Sequence, residues 1–149
     1  MARRVLVGST GFVGGNLLAK GDFDAAYHSS DIEKGFAEPN GLVVYAGVPA
    51  AMFLANADPE ADLALMCAAR ENLRRLRPQQ VVLVSTVAVY ADSRGRDESA
   101  PMAREGLPAY GANRLQLEQW VRQDWPDALI LRLPALYGRG LKKNFLYDL

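Results

Sequence analysis

Tyr110 and Arg114 stand four residues apart in "YGANRLQLE", a spacing that puts both side chains on one face of a helix. A phenol beside a fixed cation can give and take a proton in carbonyl and alcohol chemistry. Tyrosine ionises at about pH 10, so it is a poor base at neutral pH unless a nearby charge stabilises the phenolate. Arginine supplies that charge, but as a long planar group that is effectively never deprotonated, so it cannot join a proton relay. A hydroxyl that holds the reacting oxygen would complete the set, and "VVLVSTVAVY" offers Ser85 and Thr86 at the end of an apolar run. A plainer reading of Arg114 is an exposed ion pair with Glu118, four residues further on.

Near the amino terminus, "VLVGSTGFVGGNLL" spaces Gly8, Gly11 and Gly14 as G-x-x-G-x-x-G between an apolar strand and a short helix. Gly8 would allow the tight turn, Gly11 the approach of backbone to a diphosphate, and Gly14 the packing of helix on strand. Thr10, Phe12 and Val13 lie where the turn becomes the helix, whose N-terminal N–H groups and dipole favour phosphate. The alternative is a glycine-rich turn with no ligand. An acid or a cation reading the adenosine ribose belongs at the end of the second strand. "AYHSSDI" offers Asp31, which would favour NAD, or His28, Ser29 and Ser30, which would tolerate a 2′-phosphate. Both remain open, as does a plain strand-end role for His28.

These residues need elements to hold them. "RRVLVG", "FDAAYHS", "GLVVYAG", "QVVLVST" and "ALILRLP" read as strands, mostly without polar alternation. Between them run "GFVGGNLLAK", stopped at Gly21, then "DPEADLALMCAARENLRRL" and "AYGANRLQLEQWVRQDW" as helices. In the second helix Leu65, Ala69, Leu73 and Leu76 keep helical spacing. Buried strands alternating with helices predict an α/β fold, a Rossmann-like doubly wound parallel sheet with helices on both faces. Ligands of such sheets collect beyond the carboxyl ends of the strands, where Ser85 and Thr86 fall. The nineteen residues "YADSRGRDESAPMAREGLP" form a long irregular connection before Tyr110, of the length that usually serves function or moves.

Composition narrows the classes. The 149 residues carry 17 Lys+Arg against 17 Asp+Glu, which gives no electrostatic case for nucleic acid or an anionic membrane. No apolar run is long enough to span a bilayer. The single cysteine, Cys67, suits a reducing cytoplasm, and its helical setting predicts a packed thiol.

The pieces "GSTGFVGGNLL", "VVYAG", "VSTVAVY", "DESAPM", "LPAYGANRLQLE" and "LRLPALYGRG" together resemble the extended short-chain dehydrogenase/reductase family, the NAD-dependent epimerase/dehydratase group. They occur in family order and cover nearly the whole chain. The resemblance implies a Rossmann fold, bound NAD or NADP, and a nucleotide-sugar or similar alcohol or ketone as substrate. It implies Thr86 as the catalytic hydroxyl and Tyr110 as the catalytic tyrosine, with Ala46 and Gly47 of "VVYAG" and Ser85 beside the cofactor. Arg114 occupies the family's lysine position. That departure leaves two functions open: a modified catalyst, or a dinucleotide-binding or sensor domain without turnover. The resemblance also implies a homodimer through helices flanking the tyrosine, against which stands the commoner core-facing role of such apolar stripes. Residues 1–149 read as one cofactor domain, ending before the family's substrate-binding lobe. The tail "NFLYDL" reads as an interrupted helix.

Overall fold

A computed structural model describes residues 2–142. The tail "NFLYDL" lies outside the described residues. Five strands form one parallel sheet: β1 (Arg4–Val7), β2 (Ala25–Tyr27), β3 (Asn40–Tyr45), β4 (Pro78–Thr86) and β5 (Leu129–Leu133), in the order β2-β1-β3-β4-β5. Val5, Leu6 and Val7 of β1 and Val43 of β3 are almost wholly buried, as expected where helices cover both faces. The order reverses between β1 and β3, so their carboxyl ends open the crevice where such sheets take ligands. Register pairs Val7 with Tyr45 and Thr86 with Leu133, which brings the strand ends to one rim.

The helices are α1 (Phe12–Lys20), α2 (Met52–Ala57), α3 (Pro59–Leu76) and α4 (Ala109–Asp124). α3 starts as its Asp-Pro signal predicts, with Asp58 accepting from the Ala61 N–H. Arg77 ends it in the left-handed conformation at φ 48°, followed by Pro78. Of the spaced residues Leu65, Ala69, Leu73 and Leu76, the last three are buried, joined by Asp62 and Met66, whereas Leu65 is 48 % exposed. The buried face carries an acid, Asp62, at its start. Cys67 falls on the outward face and is exposed, contrary to the packed thiol expected.

Three further differences have simple causes. The second strand is only three residues long, because the chain turns into a 3-10 helix at Ile32–Phe36. Among the described residues β5 is an edge strand, and Leu129 and Leu131 on one of its faces are 55 % and 39 % exposed while Ile130 packs on the core. The short α2 and the 3-10 turn Val87–Val89 have too few residues to show a period. The connection from Tyr90 to Pro108 contains neither helix nor strand, and local Asp92–Arg94 and Asp97–Ser99 bonds shape its turns. Among the described residues no helix is long and apolar enough to cross a membrane.

Candidate functional site

The glycine turn sits at the switch point. Gly8 leaves β1 at φ +93° with Ala46 of the neighbouring strand end pressed against it, so a Cβ there would strike the Ala46 carbonyl. The Gly8 and Ser9 N–H groups donate to the Tyr27 carbonyl and the Ala46 N–H to Val7, which ties the ends of β1, β2 and β3 together. A Cβ on Gly14 would run into the Gly8 carbonyl, so this glycine seats α1 on the turn. Gly11 is different. Its φ is −79°, and a Cβ would meet only the Gly8 oxygen at 3.5 Å, an ordinary contact. The packing of the chain itself does not require glycine there. Gly11 is the N-cap of α1 with no side-chain cap, so the first-turn N–H groups around Phe12 and Val13 have no capping side chain as acceptor. Thr10 is exposed in the turn.

Beyond β2, His28 and Asp31 form a local turn. Asp31 accepts from the His28 N–H at 2.8 Å and lies 3.5 Å from its Nε2, while Ser30 Oγ meets His28 Nδ1 at 2.9 Å. The acid and the cation candidates for the ribose are therefore one cluster, with Ser29 exposed beside it.

At the other end of the crevice, a cavity of about 150 Å³ is lined by Val13, Ala46, Thr86, Tyr110, Arg114 and Leu133, among others. That volume accepts one six-membered ring. It puts the first turn of α1 and the Tyr110 side chain on the same side of the sheet. Thr86 Oγ1 accepts from the Ala88 N–H at 3.1 Å, capping the 3-10 turn and keeping its own proton to donate. The Tyr110 N–H donates to Asn56 Oδ1 of α2 at 2.9 Å, satisfying one open donor at the start of α4. A Cβ on Gly111 would strike the Ala88 carbonyl, so this glycine lets α4 close onto the residues after Thr86.

Arg114 is inside, not on the surface. Its guanidinium carbon lies 3.9 Å from the Tyr110 ring centroid, a cation–π stack. Its Nη1 donates to Asp62 Oδ2 at 2.6 Å and its Nη2 to the Pro49 carbonyl at 2.6 Å. Asn113 Nδ2 donates to the same Asp62 oxygen at 2.8 Å. Arg114 Nε has no hydrogen-bond partner and is buried. The Arg114–Glu118 pair considered from sequence does not form. Glu118 turns to β5, where Arg132 holds it through three N–H···O contacts of 2.7–3.2 Å, and accepts from Ser85 Oγ at 2.6 Å. The Glu118 carboxylate pushes Arg132 further above the already high arginine range. Ser85 lines the cavity, yet its hydroxyl proton is committed to Glu118. Gly47, next to Ala46, is exposed and is not among the residues that line the cavity.

Sequence reading missed Asp62, Asn113, Asn56 and Gly111. Gly111 left a trace, since a glycine inside a helix costs about 1 kcal/mol and signals close packing. Asp62 looked like an ordinary first-turn acid.

A parallel sheet with a glycine turn at its switch point, and a threonine, a tyrosine and a cation at the same crevice, defines a Rossmann-type domain of the extended short-chain dehydrogenase/reductase kind. Within that class the chain belongs to the RmlD substrate binding domain family, which matches residues 3–149. Similar solved structures include dTDP-4-dehydrorhamnose reductase from Bacillus anthracis in complex with NADP, at TM-score 0.82 and 19 % identity over 99 % of this chain and 59 % of that one. The corresponding reductase from Clostridium acetobutylicum gives 0.75 and 19 % over 98 % and 57 %. UDP-N-acetylglucosamine 4-epimerase from Bacillus cereus gives 0.69 and 20 % over 98 % and 58 %. The chain thus spans less than three-fifths of each of these relatives. No curated protein sequence matches it.

Proposed function

We propose that this chain is the nicotinamide-dinucleotide-binding part of an NAD(P)-dependent oxidoreductase, epimerase or dehydratase acting on a nucleotide-sugar or similar alcohol or ketone. The observation that carries the reading is the shared cavity: Val13 from the phosphate turn, Thr86, Tyr110 and Arg114 all line it. The residues fit such a cofactor, since the open space at Gly11 and the uncapped start of α1 suit a diphosphate. When bound, the nicotinamide would supply hydride transfer. Gly8, Gly11 and Gly14, with the N–H groups of Phe12 and Val13, would hold the phosphates; Ala46, Gly47 and Ser85 would bound the crevice; His28, Ser29 or Asp31 would meet the adenosine ribose.

Thr86 would orient the substrate oxygen through its free hydroxyl proton, and Tyr110 would move the proton at that oxygen. Arg114 stacks on the phenol and supports it from the face of the ring. The similar structures' names support the substrate class: two are reductases of dTDP-4-dehydrorhamnose and one is an epimerase of UDP-N-acetylglucosamine. The test is NADPH or NADH titration by Trp120 fluorescence, then turnover of nucleotide-sugar ketones. A chain that binds neither dinucleotide sinks the reading.

A second reading, dinucleotide binding without turnover, is favoured by one observation: Asp62 takes up the Arg114 charge. Replacing Tyr110 with phenylalanine separates the two. A catalyst loses about a hundredfold or more in turnover, whereas a binding domain has no dinucleotide-dependent turnover to lose.

A further inference from the structure

Asp62 belongs neither to the turn nor to the hydroxyl–tyrosine set, yet it governs what the Arg114 charge can do. It lies in the first turn of α3, 52 positions from Arg114 in sequence. The two side chains are 3 % and 4 % exposed and meet at 2.6 Å. Asn113 and Pro49 complete the clamp, one donating to the acid and the other accepting from the guanidinium. A cation paired this closely presents a dipole rather than a full charge to anything farther off. Among the described residues that line the cavity, Arg114 is the only charged one.

We propose that Asp62 is a positioning residue of this site: it fixes the guanidinium of Arg114 against the Tyr110 ring and cancels its charge, so that the cavity Arg114 lines presents no net charge to an anionic dinucleotide. The inference rests on the dinucleotide-binding reading above. It differs from a merely structural clamp in the sign of one effect. Loss of a clamp loosens the crevice and weakens binding; loss of a cancelling carboxylate uncovers a cation and strengthens it.

Calorimetric titration of NADPH into the parent chain, Asp62→Asn and Asp62→Asn/Arg114→Gln reads that sign. Asp62→Asn is expected to bind about threefold or more tighter, a gain that shrinks with added salt and disappears in the double variant. Equal or weaker binding by folded Asp62→Asn overturns the proposal. Where Asp62→Asn does not fold, the double variant, neutral and hydrogen-bonding like the parent pair, decides. Equal salt dependence of NADPH binding in the parent and the double variant supports charge cancellation; a flatter dependence in the double variant shows that the Arg114 charge held the ligand and overturns it. Inorganic pyrophosphate separates this failure from that of the functional reading. A parent chain that binds pyrophosphate but not NADPH sinks the nicotinamide reading, and the comparison is then made on pyrophosphate. Binding of neither overturns both.

Discussion

The Arg114 guanidinium stacks 3.9 Å from the centre of the Tyr110 ring while Asp62 grips it from behind at 2.6 Å. Three elements meet in that arrangement: the chain after β3 through Pro49, the start of α3 through Asp62, and α4 through Asn113 and Arg114. The place of the tyrosine is therefore fixed by long-range contacts as much as by its own helix.

The three turn glycines should separate by function. Gly8→Ala and Gly14→Ala force a methyl into backbone oxygens and are expected to cost about 2 kcal/mol or more in chemical denaturation. Gly11→Ala has room and should cost less than about 1 kcal/mol. Its effect should appear instead as weaker NADPH binding in calorimetry, because the methyl occupies the approach to the backbone.

The seat of Tyr110 rests on Asn56 and Gly111. Asn56→Ala removes the acceptor for the Tyr110 N–H and should lower stability by about 1 kcal/mol. Gly111→Ala pushes α4 off the Ala88 carbonyl, with an expected loss of about 2 kcal/mol or more. Thermal unfolding measures both, and a neutral Gly111→Ala would contradict the close contact described.

Glu118 and Arg132 form a buried pair, their side chains 2 % and 9 % exposed. Truncating one partner strands the other charge, so Glu118→Ala is expected to cost about 3–5 kcal/mol. Ser85→Ala removes a single bond to the same carboxylate and should cost about 1–2 kcal/mol. Urea midpoints of the two variants give the ratio.

Acid should loosen the contact between α3 and α4. Asp124 accepts from both Arg70 and Arg74, and the two guanidinium groups hold its carboxyl well below the usual carboxylate range. In the unfolded chain it would take a proton at about pH 4. The unfolded state thus binds the proton first as pH falls, so the stabilisation is complete above about pH 4 and is lost progressively below it. Asp124→Asn should flatten that acid limb of the stability curve. Salt should weaken the effect, because Arg74 is half exposed.

Much of the fold could be read in the chain because it depends on local rules. Gly8 and Gly14 announce a tight turn and a seated helix, the Asp58-Pro59 pair starts α3, and the apolar runs through Val5, Val43 and Val81 need no alternation when both faces are covered. Tyr110 and Arg114 share a helix face because four residues make about one turn. The edges were harder: β5 has the composition of an inner strand, yet Leu129 and Leu131, two apart and so on one face, are exposed while Ile130 between them packs on the core.

What spacing alone cannot give is the partner of a charge. Arg114 and Glu118 satisfy the helical pairing rule equally well whether they pair or part. In the folded chain they part, because β5 brings Arg132 to the acid and α3 brings Asp62 to the cation. Short-range geometry thus determined which side chains stand side by side on an element. The tertiary structure decided which of them meet across elements, because burial in a low-dielectric interior requires every charge to find an opposite one, however far away in sequence it lies.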